Sequence, residues 1–285
     1  MKTRDIIKQS IPAFVFTFQE TKNALKLLSY VKFNKDWINE FDNIIFSTNG
    51  NKNVAEYFID EFKQEYKCKP TLLHNEENMG HTFGTIDNDT RIIEYLNNNL
   101  INAEYLWKFS GDVIANKTIL DIEIDDSCDF FYINNVGSSS LLNQTENELL
   151  NDIIAQKYFY PQTNYYIVKH KKIQSWYPDR DTLNKCKKIY DQSTTNSMAY
   201  PWDILSGEQA GLPEKEGLCC EAYLAKTILE SNLKKQNLVS AEDTKKLLAL
   251  IKEHNIGDGS HKNMLYTNIG GLCHYHITNG MAIPI

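Results

Sequence analysis

The stretch EYLWKFSGDV, residues 104–113, is an apolar run that ends on a single acidic residue, Asp112. Two similar runs precede it, AFVFTF at 13–18 and NIIFST at 43–48, and each is followed by a turn and a helical pattern. Buried strands with polar residues at their ends are typical of an open α/β sheet, in which ligands bind outside the carboxyl ends of the strands. The pattern therefore places Asp112 where a metal ion or a phosphate-bearing ligand would meet it.

The segments between these runs have the spacing of amphipathic helices. A short third strand is predicted over 70–74, and the polar loop NEENMGHTFG at 75–84 follows it. The apolar residues at helical spacing are Ala24, Leu27, Leu28 and Val31, then Ala55, Phe58, Ile59 and Phe62, then Ile92, Ile93 and Leu96. This alternation of strands and helices predicts a parallel sheet with right-handed crossovers.

Beyond Asp112 the pattern changes. Residues 129–136 read as another strand, and 158–173 are rich in tyrosine and β-type residues, which predicts antiparallel or irregular structure. A helix is predicted over 217–231, and a second one begins at Ser240, where Asp243 completes a capping box. No linker or repeat interrupts the chain, so we expect one continuous domain over 1–285, with a ligand-binding half at 1–115 and a second half at 116–285.

Composition excludes several classes of function. The chain has 285 residues, a net charge of −7 and no cluster of basic residues, so we expect no nucleic-acid partner. No run reaches the ~18 apolar residues that a transmembrane segment needs. The six cysteines form no CxxC pair, which favours incidental thiols in a reduced, cytoplasmic protein over a zinc knuckle or a thioredoxin motif.

Single motifs in this chain are weak evidence for a site. An Asp after a Gly also starts ordinary turns at the ends of strands. Asn78, Gly80 and Gly84 lie in the loop after the third strand, where glycines allow the backbone to approach a ligand. The chain contains neither GxGxxG nor a P-loop, so the common dinucleotide and NTPase fingerprints are absent.

The order of four segments is more specific. AFVFTFQET, IIFSTNG, HNEENMGHTFG and EYLWKFSGDV together resemble the nucleotide-sugar-binding half of GT-A glycosyltransferases, in particular the large inverting family (glycosyltransferase family 2-like) that includes cellulose and chitin synthases. The resemblance covers about the first 115 residues. It implies a GT-A, Rossmann-like α/β fold, with a mostly parallel central sheet flanked by helices and a mixed acceptor-binding part at the C-terminus.

The resemblance also implies a donor site for a nucleoside-diphosphate sugar, for example a UDP- or GDP-linked one. Two positions depart from the family pattern: Asn49 replaces an acid, and Ser110-Gly111-Asp112 retains only the last carboxylate of D-x-D. The residues that it assigns to the nucleotide sugar are Thr17, Phe18, Glu20, Asn49, Asn78, Gly80, Gly84 and Ser110. Lys108 joins them because a buried strand rarely holds an unpaired ammonium, so this side chain should meet a carboxylate or the diphosphate.

The expected cofactor is Mn²⁺ or Mg²⁺, which would neutralise the charge that develops on the departing diphosphate. Such ions take one or two protein carboxylates together with substrate phosphates. The resemblance makes Asp112 one ligand and His274 or His276 another. Two ordinary histidines sharing one face of a strand are the alternative.

An inverting transfer also needs a general base for the acceptor hydroxyl, which would belong to a carbohydrate, a lipid-linked sugar or a protein. The resemblance implies an acid at the start of a helix, and Glu221 is the first choice and Glu216 the second. A glutamate in that place can instead simply interact with the helix dipole. A retaining transfer would need no such base.

Two other functions stay open. A catalytically degenerate GT-A domain that binds sugar or a partner protein would explain the loss of the first D-x-D carboxylate. A sugar nucleotidyltransferase would carry a Gly-rich loop with an Arg directly after the first strand, and FTFQET at 16–21 contains neither. A metal-dependent glycosyltransferase of the hexosyltransferase kind is therefore the leading hypothesis.

Overall fold

The computed structural model describes most of the first half of the chain and parts of the second. The described residues are 1–18, 35–77, 79, 81–99, 101–110, 113–115, 117–134, 151, 159, 161–172, 180–181, 183–184, 188, 220–245 and 272–274. The helix predicted from Ala24 to Val31 lies outside them. The prediction of one domain over 1–285 stays a prediction.

The described part of the chain contains strands, α-helices and short 3₁₀ helices. The strands are β1 Ser10–Phe18, β2 Asn43–Gly50, β3 Lys69–Asn75, β4 Tyr105–Ser110, β5 Val113–Ala115, β6 Phe130–Asn134, β7 Pro161–Lys169, β8 Lys235–Asn237 and β9 Leu272–His274. The α-helices are α1 Lys35–Ile38, α2 Lys52–Glu65, α3 His81–Asn98 and α4 Cys220–Glu230. Short 3₁₀ helices span Thr3–Gln9, Lys117–Asp121 and His170–Lys172.

The main sheet confirms the predicted fold class. Its seven described strands have the order β3-β2-β1-β4-β7-β6-β8. Strands β1 to β4 are parallel to one another, and β6 and β8 are parallel, whereas β7 is antiparallel to both of its neighbours. The sheet is therefore mostly parallel, with helices on its faces and a mixed second half.

One face of the sheet carries an aromatic layer. The side chains of β1, β2 and β4 that alternate onto this face include Phe14, Phe46 and Phe109, all at most 1% exposed. Helix α2 covers them with its buried stripe, which includes Phe58 and Phe62. Asn51 caps this helix, because its side chain accepts a hydrogen bond of 3.3 Å from the Val54 N–H. The predicted stripe at Ala55, Phe58, Ile59 and Phe62 is confirmed.

The opposite face is covered by α3 and α4. It buries aliphatic side chains such as Ile45 and Leu106 against Ile92 and Leu96 of α3 and Leu224 of α4. The predicted helix over 217–231 is thereby confirmed in its described part.

Two features of the second half correspond to sequence signals. The tyrosine-rich segment forms β7, whose antiparallel direction confirms the prediction for 158–173. The helical turn at 241–245 begins as predicted, since the Asp243 N–H donates to the Ser240 hydroxyl at 3.0 Å. Among the described residues, no helix combines the length and hydropathy that crossing a bilayer requires.

The aromatic layer predicts a large cost for removing Phe46. Its ring lies 4.8 Å from Phe62 and 5.1 Å from Phe58, centroid to centroid, and the side chain is fully buried. We expect Phe46→Ala to lower the free energy of unfolding by about 3–5 kcal/mol. Tyr57→Ala, at a position of α2 that is 40% exposed, should change it by no more than about 0.5 kcal/mol. Urea denaturation measures both, and equal small losses would contradict the packing described.

Candidate functional site

Four parallel strands end side by side at one edge of the sheet. In the backbone register, Thr17 of β1 lies opposite Asn49 of β2, and Asn49 lies opposite Asn75 of β3. On the other side of β1, Ser110 ends β4 opposite Val15. The carboxyl ends of these strands therefore bring together residues predicted from three separate sequence segments, among them Phe18, which follows Thr17 on β1.

Asn49 lies where the end of β2 meets the first turn of α3. Its side chain is 1% exposed, and its Oδ1 has no hydrogen-bond partner among the described residues. A Cβ atom on Gly84 would stand 3.0 Å from Asn49 Nδ2, tighter than most contacts of a real Cβ, so the amide would have to shift by a few tenths of an ångström. Gly84 thus lets the helix approach this amide closely. Asn49 and Gly84, which the resemblance assigned separately to the nucleotide sugar, are therefore close neighbours.

His74 lies opposite Thr48, one residue before the end of β3. Its Nδ1 is 2.7 Å from the Thr48 hydroxyl, and its Nε2 is buried without a partner among the described residues. Burial lowers the pKa of the His74 imidazole, an effect that the Gly50 backbone opposes and the Arg91 guanidinium reinforces. The imidazole is therefore held in its neutral form near the strand ends.

Helix α3 buries five consecutive polar residues, Asp87–Arg91. Successive residues of an α-helix point about 100° apart, so a run of five leaves no side of the helix apolar. The run therefore needs polar partners on several neighbouring elements. Those partners lie on β2, β3, β4 and β7, as the following contacts show.

Arg91 reaches the ends of two strands at once. Its Nη1 donates to the carbonyl oxygens of Thr48 on β2 and Leu73 on β3, at 2.9 and 3.0 Å. Its Nη2 donates to Asn88 Oδ1 at 2.7 Å, and its Nε lies 2.9 Å from Asp87 Oδ2 in an ion pair. Burial lowers the pKa of Arg91, and the Asp87 carboxylate opposes that effect.

Asp87 is shared by several partners. Asn75 Nδ2 donates to its Oδ2 at 3.3 Å, and Arg180 Nη1 lies 3.8 Å from its Oδ1. Arg180 also donates from Nη2 to Glu94 at 2.7 Å. A residue of the second half thus contacts the helix that supports the ends of β2 and β3.

Lys108 has the carboxylate predicted for it. The side chain is fully buried, with Nζ 3.5 Å from Asp89 Oδ1, and it donates to the Thr163 carbonyl. The Tyr166 hydroxyl donates to Asp89 Oδ2 at 3.0 Å, and Lys108 Nζ lies 5.5 Å from the centroid of the Tyr166 ring. The Lys108 ammonium, held by these contacts, is part of the interior of the sheet. Its predicted role in binding a diphosphate stays a prediction.

A second, two-stranded sheet lies next to the end of β4 in sequence. Strand β5 pairs antiparallel with β9, so that Val113 lies opposite His274. Val113 is the residue that follows Asp112. The backbone of the C-terminal histidine segment is therefore adjacent to the position predicted for the metal.

Helix α4 begins at the same edge of the sheet. Because β7 is antiparallel to β4, with Phe109 opposite Tyr165, the start of β7 lies beside the carboxyl end of β4. Thr163 Oγ1 there is 3.5 Å from the thiol of Cys220, the first residue of α4. Glu221 is the next residue. The backbone at the start of α4, where the general base is predicted, is therefore close to the strand ends.

The remaining predicted site residues lie outside the described part of the chain; they are Glu20, Asn78, Gly80, Asp112, Glu216 and His276. Within the described part, no group of three or more His, Cys, Asp or Glu side chains could hold a metal ion. Sequence reasoning missed Asp87, Asp89 and Arg91. The run IDNDTR at 86–91 was the available signal, since five polar residues in a row break an amphipathic pattern.

No protein-family model and no curated protein matches this chain. Solved structures similar to it include the galactosyltransferase LgtC in complex with donor and acceptor sugar analogues, with 11% identity and a TM-score of 0.49 over 92% of this chain and 86% of LgtC. The glycosyltransferase GlyE of Streptococcus pneumoniae TIGR4 has 10% identity and a TM-score of 0.45 over 96% of this chain, which spans 55% of GlyE. A nucleoside-diphosphate-sugar pyrophosphorylase of Vibrio cholerae RC9 has 9% identity and a TM-score of 0.41, over 79% of this chain and 90% of that one. Likeness at these identities and TM-scores concerns the fold alone.

The lowered pKa of His74 predicts a pH dependence of stability. Because the folded pKa lies below the unfolded one, the unfolded chain binds more protons as the pH falls. The contribution of neutral His74 is complete above an unfolded pKa of about 6.5 and is lost as the pH falls toward the folded value. We expect His74→Asn to flatten the decline in unfolding free energy below that pH. Burial also lowers the pKa of His170, so this residue should still contribute to the pH dependence of the His74→Asn variant. A plot of unfolding free energy against pH that is the same for the variant and the wild type would contradict the prediction for His74.

The Lys108–Asp89 pair predicts strong energetic coupling. Lys108→Met leaves a buried carboxylate without its ammonium, so we expect a loss of about 3–5 kcal/mol in unfolding free energy. Adding Asp89→Asn should recover part of that loss, giving a coupling of about 0.5–3 kcal/mol in a double-mutant cycle. Lys35→Met, which removes the exposed pair with Glu65, should cost at most about 1 kcal/mol. Additive losses for Lys108 and Asp89 would show that the two groups do not interact.

Proposed function

We propose that this protein is a metal-dependent glycosyltransferase that moves a sugar from a nucleoside-diphosphate sugar to a hydroxyl acceptor. The observation that carries the proposal is the pairing of β5 with β9, which aligns His274 with the residue after Asp112. It joins two backbone segments that are more than a hundred residues apart in sequence, one of which follows β4 at the carboxyl edge of four parallel strands, and the proposal assigns the metal ligands to these segments. That edge is where open α/β sheets bind ligands.

In this proposal Asp112 and one of His274 and His276 hold Mn²⁺ or Mg²⁺. The ion, when bound, would neutralise the diphosphate as a leaving group. Carboxylate and imidazole donors suit Mn²⁺, and a site of few protein ligands suits an ion that also binds substrate phosphates. The alternation of side chains along a strand puts residues 274 and 276 on one face if β9 continues.

The donor would lie across the ends of β1, β2 and β4. Asn49 offers a buried acceptor, Oδ1, without a partner in the described part of the chain, and such an oxygen suits the N–H of a nucleobase or a ribose hydroxyl. Thr17, at the end of β1, is exposed and can donate a hydrogen bond. The other residues assigned to the donor are Phe18, Glu20, Asn78, Gly80, Gly84, Lys108 and Ser110.

The acceptor hydroxyl would lose its proton to Glu221 in an inverting transfer, with Glu216 as the second candidate. The contact of Cys220 with Thr163 supports Glu221, because it holds the start of α4 near the end of β4. The acceptor belongs to a carbohydrate, a lipid-linked sugar or a protein. The expected cytoplasmic location stays a prediction.

One observation favours a second function. Ser110 occupies the position of the first D-x-D carboxylate and leaves a single acid, which fits a degenerate domain that binds a sugar or a protein without catalysis. The similar pyrophosphorylase structure does not revive the nucleotidyltransferase hypothesis, since the Gly-rich loop with its Arg is missing after β1.

The proposal predicts metal-dependent nucleotide binding. A ligand that binds only the folded state raises the melting temperature, so one of UDP, GDP and CDP, or its sugar, should stabilise the protein when Mn²⁺ is present. Asp112→Asn should abolish the Mn²⁺-dependent part of the shift. Asp121→Asn, which changes an exposed carboxylate paired with Arg4, is the matched control and should keep the full shift. No shift with any nucleotide would favour the degenerate binding module.

A further inference from the structure

The buried polar run of α3 has no part in the chemistry proposed above, yet it is hydrogen-bonded directly to the ends of β2 and β3. Arg91 is the centre of these contacts, since one guanidinium nitrogen joins the Thr48 carbonyl of β2 to the Leu73 carbonyl of β3. Both carbonyls are one or two residues before the polar side chains Asn49 and Asn75. A shift of Arg91 would therefore move the two strand ends relative to each other.

Only arginine makes this arrangement possible. Its planar fork presents several N–H donors in fixed directions, whereas a lysine ammonium is a point charge on a flexible stem. The contacts of Nη1, Nη2 and Nε lie in separate directions, toward the two carbonyls, Asn88 and Asp87.

Stability alone is a poor reason to bury such a group. Removing a charge from water is costly, and well-packed apolar residues often replace buried ion pairs at no loss of stability. A hydrogen-bonded guanidinium makes directional contacts. It therefore fixes two backbone carbonyls at one distance from one helix. That property matters where strand ends have to present side chains to a ligand.

We propose that Arg91 is a positioning residue that sets the spacing between the carboxyl ends of β2 and β3, and thereby the place where Asn49 and the loop after Asn75 meet the nucleotide. The nucleotide part of this inference rests on the proposed function. Asp87 holds the guanidinium in place and also receives Asn75 Nδ2, so the same carboxylate links the fork to the first residue of that loop.

Arg180 extends the positioning unit to the second half of the chain. It lies 3.8 Å from Asp87 and is hydrogen-bonded to Glu94, about two helical turns further along the same face of α3. Its side chain is 40% exposed, so its pair with Asp87 contributes less than the buried contact of Arg91. Arg91 is therefore the residue to change.

The test uses the full chain and three variants. Arg91→Lys keeps a positive charge beside Asp87, but its single nitrogen cannot replace the three guanidinium nitrogens that together contact the two carbonyls, Asn88 and Asp87. Arg91→Gln is a neutral second variant. Tyr166→Phe is the matched control, because it removes a different buried hydrogen bond of α3, the one to Asp89, which faces β4 and β7. Amide hydrogen exchange is measured without ligand, and affinity for the stabilising nucleoside diphosphate with Mn²⁺ is measured by calorimetry.

We expect Arg91→Lys to speed exchange at residues 48–51 and 73–77 by about tenfold or more, with exchange in β4 unchanged, because hydrogen bonds to a charged group are lost only at β2 and β3. Nucleotide affinity should fall by about tenfold or more. Arg91→Gln should show both changes to a greater degree. Tyr166→Phe should show neither change, although it lowers overall stability.

Three results would overturn the inference. Exchange of Arg91→Lys at wild-type rates would show that the fork does not hold the strand ends. Equal changes in Tyr166→Phe would show general loosening of the fold. Faster exchange with unchanged nucleotide affinity would show that strand spacing does not serve the ligand. A wild-type chain that binds no nucleotide would instead overturn the proposed function, and the exchange measurement would still decide whether Arg91 holds the strand ends.

Discussion

Helix α3 buries a run of charged and polar side chains that can be accommodated only if each finds a partner. Asp89 accepts a hydrogen bond from Tyr166 of β7 and pairs with the Lys108 ammonium of β4, whereas Asp87 pairs with Arg91 of the same helix and accepts from Asn75 of β3. Because Tyr166, Lys108 and Asn75 lie on three different strands, the helix can occupy one position and one rotation over the sheet. The arrangement of the strand ends depends on this constraint more than on any apolar contact.

The other face of the sheet has the opposite character. Phe14 contacts Phe46 and Phe109, and these rings pack against Trp37 of α1 and Phe58 of α2 in stacked, tilted and edge-to-face arrangements, which are less restrictive than hydrogen bonds to a buried charge. Such a layer resists compression, but it does not fix one position of a helix along the strands. The aromatic face therefore contributes buried apolar surface, whereas the polar face fixes the position of α3. This difference explains why the polar contacts concentrate near the edge where the strands end.

Local periodicity was enough to predict β1 to β4, the stripe of α2 and the start of the helix at Ser240, because those features depend on residues close in sequence. It also indicated the contact of Lys108 with a carboxylate, since a charge in a buried strand needs a partner. It could not identify that partner as Asp89, nor place Arg91 under β2 and β3, because a helical run of polar residues reads as exposed until the tertiary structure encloses it. The place of β7 between β4 and β6 likewise depends on long-range pairing that no local pattern carries.

The direction of β7 has a consequence for the edge of the sheet. A further parallel strand beside β4 would begin at the opposite edge, far from Ser110, and its connection would cross a face of the sheet. The antiparallel strand begins next to the end of β4, so Thr163 lies where its carbonyl receives Lys108 and its hydroxyl meets Cys220. The antiparallel direction of β7 also allows α4 to start at that edge. Residues of the second half can therefore share one edge with the ends of the first four strands, which is the arrangement that a transfer between two bound substrates requires.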